Sequence, residues 1–231
     1  MPELYRDEHL CVVAKPAGLL VHRGWGDDRV VAMTLLRNRL GQHVYPVHRL
    51  DRPTSGVLVF ALDSVVAAAM AKRFEQGEVQ KTYLALCRGV PAPELHIDYP
   101  IPNKDGGERV PAVTDVALRF ATERYALLEV WPRTGRLHQI RRHLKHLSHP
   151  LIGDVRYGHG EHNRLFREQH GLHRLALHAL AIAFPHPMTS APLALRAQIP
   201  ADLRLPLLSL GVPEALLQDL EAGPGPSKPV A

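Results

Sequence analysis

One acidic residue in a basic neighbourhood is the first candidate for chemistry in this chain. Asp51 lies between Arg49 and Arg52 in the segment VHRLDRPTSG, residues 47–56. Guanidinium groups on both sides favour the ionised form of a carboxylate, which is the form that a nucleophilic carboxylate requires. An aspartate that caps the backbone amides of a turn is the commoner interpretation, although Thr54 and Ser55 can do that capping instead. The segment therefore indicates either a reactive carboxylate or a structural turn.

An aromatic residue and a lysine alternate in the segment KTYLA, residues 81–85. The pattern predicts a strand over residues 80–88 that places Lys81, Tyr83 and Ala85 on one face. A ring in such a position can stack on a nucleobase while the lysine meets a phosphate. An ordinary sheet tyrosine, with its ring on the core and its hydroxyl in water, remains the alternative.

The segment TGRLHQIRRHL, residues 134–144, predicts a helix over residues 137–147 with two distinct faces. Helical spacing gives a buried apolar stripe of Leu137, Ile140, Leu144 and Leu147. It also gives a basic face of His138, Arg141, Arg142 and Lys145. A cation on that face can pair with Asp51 or approach a substrate phosphate, and the spacing leaves both open.

The distribution of charge favours a polyanionic partner. The chain has 28 Lys plus Arg against 23 Asp plus Glu, for a net charge of +5. Residues 133–149 contain five Arg or Lys and four His but no acid. Such a cluster repels itself and is stabilised by a nucleic-acid backbone, so we expect a phosphate-facing surface here that includes Arg136. A solvated helix face is the alternative.

Other kinds of site find less support in the sequence. His143, His146 and His149 recur every three residues, but there is no H-E-x-x-H motif and the neighbouring cations oppose a divalent ion. Ser55 lacks the G-x-S-x-G elbow of serine hydrolases, and residues 153–160 lack the phosphate-loop pattern. We therefore expect neither a metal nor a nucleotide cofactor.

The elements that must position these residues belong to an α+β fold. The 231 residues suffice for one domain, which we expect over residues 1–221, followed by a disordered Pro/Gly-rich tail over 222–231. The chain has two cysteines, no long apolar run and a charged N-terminus, so we expect a reduced cytoplasmic protein. Strands outnumber helices without alternating with them, which predicts a mostly antiparallel sheet. The predicted strands are 10–14, 19–22, 44–50, 57–62, 80–88, 113–120, 125–131, 175–184 and 193–199. The predicted helices are 30–40, 64–74 after a cap at Asp63, and 137–147, and residues 203–220 are predicted to be helical at least in part. Residues 24–28 are predicted to form a loop, and residues 91–111 a connection or a small hairpin.

Taken together, the motifs resemble the RluA family of pseudouridine synthases. The resemblance rests on HRLDRPTSG (48–56), KTYLAL (81–86) and GRLHQIRRHL (135–144), supported by KPAG (15–18), HPLIGD (149–154) and LHA (177–179). These pieces span roughly residues 4–200. The resemblance implies a single catalytic domain with a central, mostly antiparallel mixed sheet flanked by helices and loops.

The resemblance also implies roles for particular residues. Asp51 matches the essential aspartate that drives cleavage of the uridine N-glycosidic bond, Tyr83 the tyrosine that stacks on the target base, and Arg141 the arginine paired with the aspartate. The target uridine is flipped out of its stack and rejoined through carbon 5 without cofactor or metal. We expect RNA contacts from His48, Arg49, Arg52, Lys81, Arg136, His138, Arg142 and Lys145.

The expected substrate is RNA. Segments such as VHRGW (21–25) and GLHRLALHA (171–179) look most like family members that modify tRNA at position 65, with rRNA as the alternative. We expect a monomer with no obligate protein partner and no membrane association. The competing hypotheses are a non-catalytic RNA-binding module and a carboxylate-dependent hydrolase that acts on a nucleoside or sugar bond. An Asp51 variant separates the first from an isomerase, and product analysis separates the second.

Overall fold

The computed structural model describes residues 1–23, 30–104 and 106–223. The strands are β1 (Glu3–Arg6), β2 (Leu10–Lys15), β3 (Tyr45–Pro46), β4 (Ser55–Ala61), β5 (Gln80–Arg88), β6 (Glu94–Asp98), β7 (Ile101–Pro102), β8 (Arg109–Val110), β9 (Val113–Ala121), β10 (Tyr125–Pro132), β11 (Leu177–Pro185) and β12 (Pro192–Arg196). The helices are α1 (Ala32–Leu40), α2 (Ser64–Glu75), α3 (Gln139–His146), α4 (Gly160–His170), α5 (Ala201–Ser209) and α6 (Glu214–Ala222). None of the helices in the described residues has the length and apolar character that crossing a bilayer requires.

The described chain forms two compact units, Met1–Gln80 with Ala179–Gln198, and Lys81–His178 with Ile199–Gly223. In the first unit β2 pairs with both β1 and β4, and β11 pairs with β12, each pair antiparallel. All seven residues of β4 are buried, as expected of a continuous apolar run. Helix α2 packs Val66 and Met70 into this core, and its N-cap Asp63 accepts a hydrogen bond from the Val66 amide at 2.8 Å.

Gly56 is the residue that lets β4 approach β11 closely. Its φ is +118°, and a Cβ at this position would overlap the backbone of Ala179. Only glycine satisfies both conditions without strain. The glycine that closes HRLDRPTSG is therefore explained by packing.

The second unit contains four antiparallel strands in the order β5-β10-β9-β6, together with the two-stranded ribbon of β7 and β8. Helix α3 covers it and buries Ile140 and Leu144 among Ala85, Cys87 and Val130. Of the stripe predicted for this helix, Leu137 and Leu147 lie only half-buried at its two ends. The expected α+β class with a mostly antiparallel mixed sheet is confirmed.

Several predicted boundaries differ from the structure. The stretch 203–220 forms two helices, α5 and α6, because Gly211 and Pro213 interrupt it. Extended pairing within 44–50 is limited to Tyr45–Pro46, and β1 and α4 were not predicted. The loop at 24–28 and the tail beyond Gly223 lie outside the described residues, so the domain boundary at residue 221 stays a prediction.

Candidate active site

Asp51 lies in a tight turn between a buried residue and a buried strand. Leu50 before it is 4% exposed, and Thr54 and Ser55 after it are 2% and 1% exposed. The Thr54 amide donates to the Asp51 carbonyl at 3.0 Å, which closes the turn 51–54. Because both flanks are buried, the backbone at the half-buried Asp51 is held in place from both sides.

A buried lysine that the sequence analysis did not identify holds this turn in place. Lys15, at the end of β2, is 1% exposed, and its Nζ donates to the carbonyls of Pro16 (2.9 Å), Leu19 (2.7 Å) and Arg52 (3.3 Å). The Arg52 carbonyl also accepts from the Gly18 amide at 2.8 Å. The KPAG segment, quoted above only in support of the family resemblance, therefore anchors the Asp51 turn through its lysine.

The basic residues around Asp51 differ in what they contact. Arg52 is exposed, and its Nε donates to the Gly18 carbonyl at 3.0 Å. The Nε2 of His48 accepts from the Val59 amide at 3.1 Å, so this nitrogen contributes to the fold. Arg49 is exposed. RNA contacts by these three residues stay predictions, and Arg49 is the one whose exposure fits them most directly.

In the second unit, β5 carries Tyr83 and Lys81 as predicted. Tyr83 is in register with Val130 of β10 and packs as a half-buried ring against the core of this unit. The Lys81 Nζ donates to the Thr134 carbonyl at 3.0 Å. Burial of the ammonium lowers the pKa of Lys81 from 10.5 to about 8. Lys81 is therefore a partly desolvated cation beside the 134–136 turn and not a fully solvated one.

The start of α3 is fixed by a glutamine and a threonine. Gln139 accepts from the Thr134 hydroxyl (2.7 Å) and the Arg136 amide (3.0 Å), and its Nε2 donates to the Val113 carbonyl (2.9 Å) and the Thr114 hydroxyl (2.9 Å). The residue before the helix, His138, has φ of +54°, so it precedes the helix and is not part of it. The segment GRLHQ (135–139) therefore fixes the start of α3 on β9, in addition to carrying positive charge.

Arg141 is buried, which corrects its assignment to an exposed basic helix face. It is 5% exposed and forms a two-point ion pair with Asp154, Nε to Oδ2 at 2.7 Å and Nη2 to Oδ1 at 2.8 Å. Burial alone would raise the pKa of Asp154, but the Arg141 guanidinium and the amides of Arg156 and Tyr157 outweigh it and hold that pKa below its ordinary value. Asp154 belongs to the HPLIGD segment; no function was predicted for it.

Near α3, four cations surround one tyrosine ring. The distances to the Tyr157 ring centroid are 5.1 Å for Arg141, 5.8 Å for Arg142, 5.9 Å for Lys145 and 5.6 Å for Arg156. The Tyr157 hydroxyl accepts from the Arg142 Nε at 3.0 Å and lies 3.0 Å from the His138 Nδ1. The structure thus brings His138, Arg142 and Lys145 together around a residue for which we had predicted no role.

The positive charge of residues 133–149 is partly neutralised by carboxylates that lie outside this stretch in the sequence. Arg133 pairs with Asp115 of β9, and Arg141 pairs with Asp154. Arg136 donates to the Pro111 carbonyl at 3.1 Å, and Arg142 to the Pro102 carbonyl at 2.5 Å. Arg136 and Lys145 are exposed whereas Arg142 is half-buried, and phosphate contacts by all three stay predictions.

The histidines of this stretch contact protein groups. His143 is fully buried between the Thr114 hydroxyl and the Tyr99 carbonyl, and its burial lowers its pKa. His146 stacks on Tyr99 with ring centroids 3.6 Å apart, and the Nδ1 of His149 lies 3.2 Å from the Arg88 carbonyl. Among the described residues, no three histidine, cysteine or acidic side chains form a potential metal site.

Comparisons with known proteins identify the family. Residues 9–146 match the family described as RNA pseudouridylate synthase. A protein named tRNA pseudouridine synthase C from Vibrio cholerae serotype O1 is 44% identical over 237 residues, covering 93% of this chain and 97% of its own. The protein of the same name from Haemophilus influenzae is 42% identical, covering 84% and 91%.

Two solved structures share the fold over nearly the whole chain. Human RNA Pseudouridylate Synthase Domain Containing 4 matches with a TM-score of 0.74 and 27% identity, covering 91% of this chain and 93% of its own. Human RNA Pseudouridylate Synthase Domain Containing 1 matches with a TM-score of 0.71 and 26% identity, covering 98% and 96%. The chain belongs to the RluA-type family of RNA pseudouridine synthases, isomerases that convert a uridine of RNA to pseudouridine.

Proposed function

We propose that this protein isomerises a uridine of tRNA, at position 65, and that Asp51 is the carboxylate that drives the reaction. The observation that carries the substrate class is the similarity to proteins named tRNA pseudouridine synthase C, at 42–45% identity over most of this chain. Position 65 rests on the resemblance of the segments quoted above. The observation that supports Asp51 is its place in a turn anchored by Lys15 and two buried flanks.

The reaction rearranges one bond and one proton without an added reactant. The bond between ribose C1′ and uracil N1 breaks, the uracil turns, and C1′ joins C5. The proton on C5 leaves, and N1 gains a proton, so atoms and electrons balance. A carboxylate fixed at the target nucleotide can act at the developing electron-poor sugar or base only while it is ionised.

We propose two further roles on the second unit. The Tyr83 ring, fixed by its packing on β5, supplies a flat face for the flipped uracil. Arg141 supplies a guanidinium whose orientation is fixed by Asp154, with Nε and Nη2 committed to that carboxylate. A guanidinium fixed in this way does not have to reorganise during the reaction, which is the condition for electrostatic stabilisation.

Asp51→Asn tests the proposal. The variant keeps the size of the side chain but cannot be ionised, so we expect normal folding and tRNA binding with no measurable isomerisation. The matched control is Asp219→Asn on α6, where the side chain is exposed. Release of tritium from tRNA labelled at uridine C5 measures turnover, and chemical mapping of pseudouridine identifies the position.

Three outcomes would contradict the proposal in different ways. Turnover by a clean Asp51→Asn preparation would remove Asp51 from the reaction. Pseudouridine formed only in rRNA, or in tRNA away from position 65, would replace the substrate. Free uracil in the product would indicate a hydrolase, because an isomerase leaves the mass of the RNA unchanged.

A further inference from the structure

The turn 154–157 between α3 and α4 presents an exposed apolar residue on a rigid base. The Asp154 Oδ1 accepts from the amides of Arg156 (2.9 Å) and Tyr157 (3.0 Å). The Asp154 carbonyl accepts from the Gly158 amide (3.1 Å) and the Asn163 Nδ2 (3.0 Å). The same buried carboxylate also pairs with Arg141 of α3, and Asn163 belongs to α4. Hydrogen bonds and an ion pair therefore fix this turn against both helices.

The side chain at the tip of this turn is Val155, which is 90% exposed. It has the highest exposure of any large apolar side chain in the described part of the chain. In a flexible loop such a side chain can fold back onto the protein surface, but the hydrogen bonds of Asp154 fix the conformation of this turn in which Val155 is exposed. A single exposed valine is ordinary on a protein surface, so this tip is informative only together with the rigidity of its turn and the charges around it.

The charges around the tip indicate the chemistry of that surface. Arg156 beside Val155 is exposed, and so is Lys145 on α3. Both cations lie within 6 Å of the Tyr157 ring centroid, at 5.6 and 5.9 Å, and Tyr157 is two residues from the tip along the chain. The carboxylate at this turn, Asp154, is 2% exposed and faces Arg141. The accessible charge beside Val155 is therefore positive.

We propose that the turn 154–157 is an RNA-contacting element, in which Val155 packs on a ribose or base of the substrate and Arg156 and Lys145 meet phosphates on either side of it. Nucleic-acid-binding proteins commonly place an apolar side chain against a sugar or a base while neighbouring Arg or Lys side chains contact the phosphates. This inference rests on the proposed function because it requires an RNA substrate. It adds a contact surface outside the residues that the sequence motifs assign to the reaction.

Binding measurements on tRNA test the inference. We expect Val155→Ser to raise the Kd for tRNA by about fivefold, because it removes most of the apolar contact. We expect Arg156→Ala to raise it to a similar extent and to reduce the slope of log Kd against log salt by about one. The thermal midpoint should stay unchanged, since neither side chain is buried.

The control is Val65→Ser on α2, where the valine is 69% exposed and its chain neighbours Ser64 and Val66 are uncharged. A p-benzoylphenylalanine at position 155 should crosslink to tRNA on irradiation, and the same group at position 65 should not. Wild-type affinity in both Val155→Ser and Arg156→Ala would overturn the inference, as would equal crosslinking at both positions.

These outcomes can be told apart from failure of the proposed function. Binding is measured without turnover, so weakened binding by Val155→Ser supports the RNA contact even if position 65 is not the target. Conversely, normal isomerisation at position 65 with unchanged affinity in both variants would retain the proposed function and reject this surface.

Discussion

Lys15→Met is the perturbation that most directly tests how this fold holds its reacting carboxylate. Methionine keeps the length and packing of the stem but removes the ammonium, which is 1% exposed and bonds three carbonyls. The bonds to Leu19 and Pro16 are short, at 2.7 and 2.9 Å, whereas the bond to Arg52 is long, at 3.3 Å. Losing two charge-assisted bonds and leaving their acceptors unsatisfied costs roughly 1.5–3 kcal/mol each, or about 3–6 kcal/mol in total.

The expected effect on activity comes from the same contacts. Without Lys15, the turn 51–54 keeps the bonds between Gly18 and Arg52 but loses its buried anchor. A displacement of about 1 Å at a reacting group can lower a rate by about a hundredfold, so we expect kcat to fall more than the Kd for tRNA rises.

Urea unfolding followed by circular dichroism measures the free energy of unfolding, and tritium release measures kcat. Lys72→Met, at an exposed position on α2, is the matched control and should change the free energy of unfolding by no more than about 0.5 kcal/mol. If Lys15→Met had the unfolding free energy and the kcat of the wild type, the anchoring role assigned to Lys15 would be wrong.

Three further predictions follow from burial and charge. Lys81 is charged below its pKa of about 8 and neutral above it, so the KM for tRNA should rise between pH 7 and 9 in the wild type. The Lys81→Arg variant stays charged and should show no such rise, and parallel pH profiles of the two proteins would exclude a cationic role for Lys81. Arg142→Ala and Lys145→Ala should each weaken tRNA binding and lower the salt slope by about one, and an unchanged slope in both would place the RNA elsewhere. Burial raises the pKa of Cys11 to about 11 and of Cys87 to about 12, so a thiol reagent at pH 8 should label two cysteines in urea and neither in the native protein.

The parts of the fold that were predicted well have strong local signals. Helix α2 begins at an Asp cap and carries an apolar stripe, and β4 is a continuous apolar run. Helix α4 was missed because its sequence, GEHNRLFREQH, buries only Asn163 and Phe166 and so has no apolar periodicity. Strand β1 is four mostly polar residues at a sheet edge, and its conformation is set by pairing with β2.

The sequence alone determined the chemistry-bearing motifs, the α+β class and the family, because these depend on residue types at short spacings. Only the tertiary structure decided which charges are exposed. The stretch 133–149 contains no acid, yet Asp115 and Asp154 arrive from other elements to pair with Arg133 and Arg141, and Arg141 is buried as a result. No role was predicted for Lys15 either, because the Arg52 carbonyl that it bonds lies 37 residues away along the chain. The physical reason is that burial and ion pairing join groups distant along the chain, which local patterns of sequence do not encode.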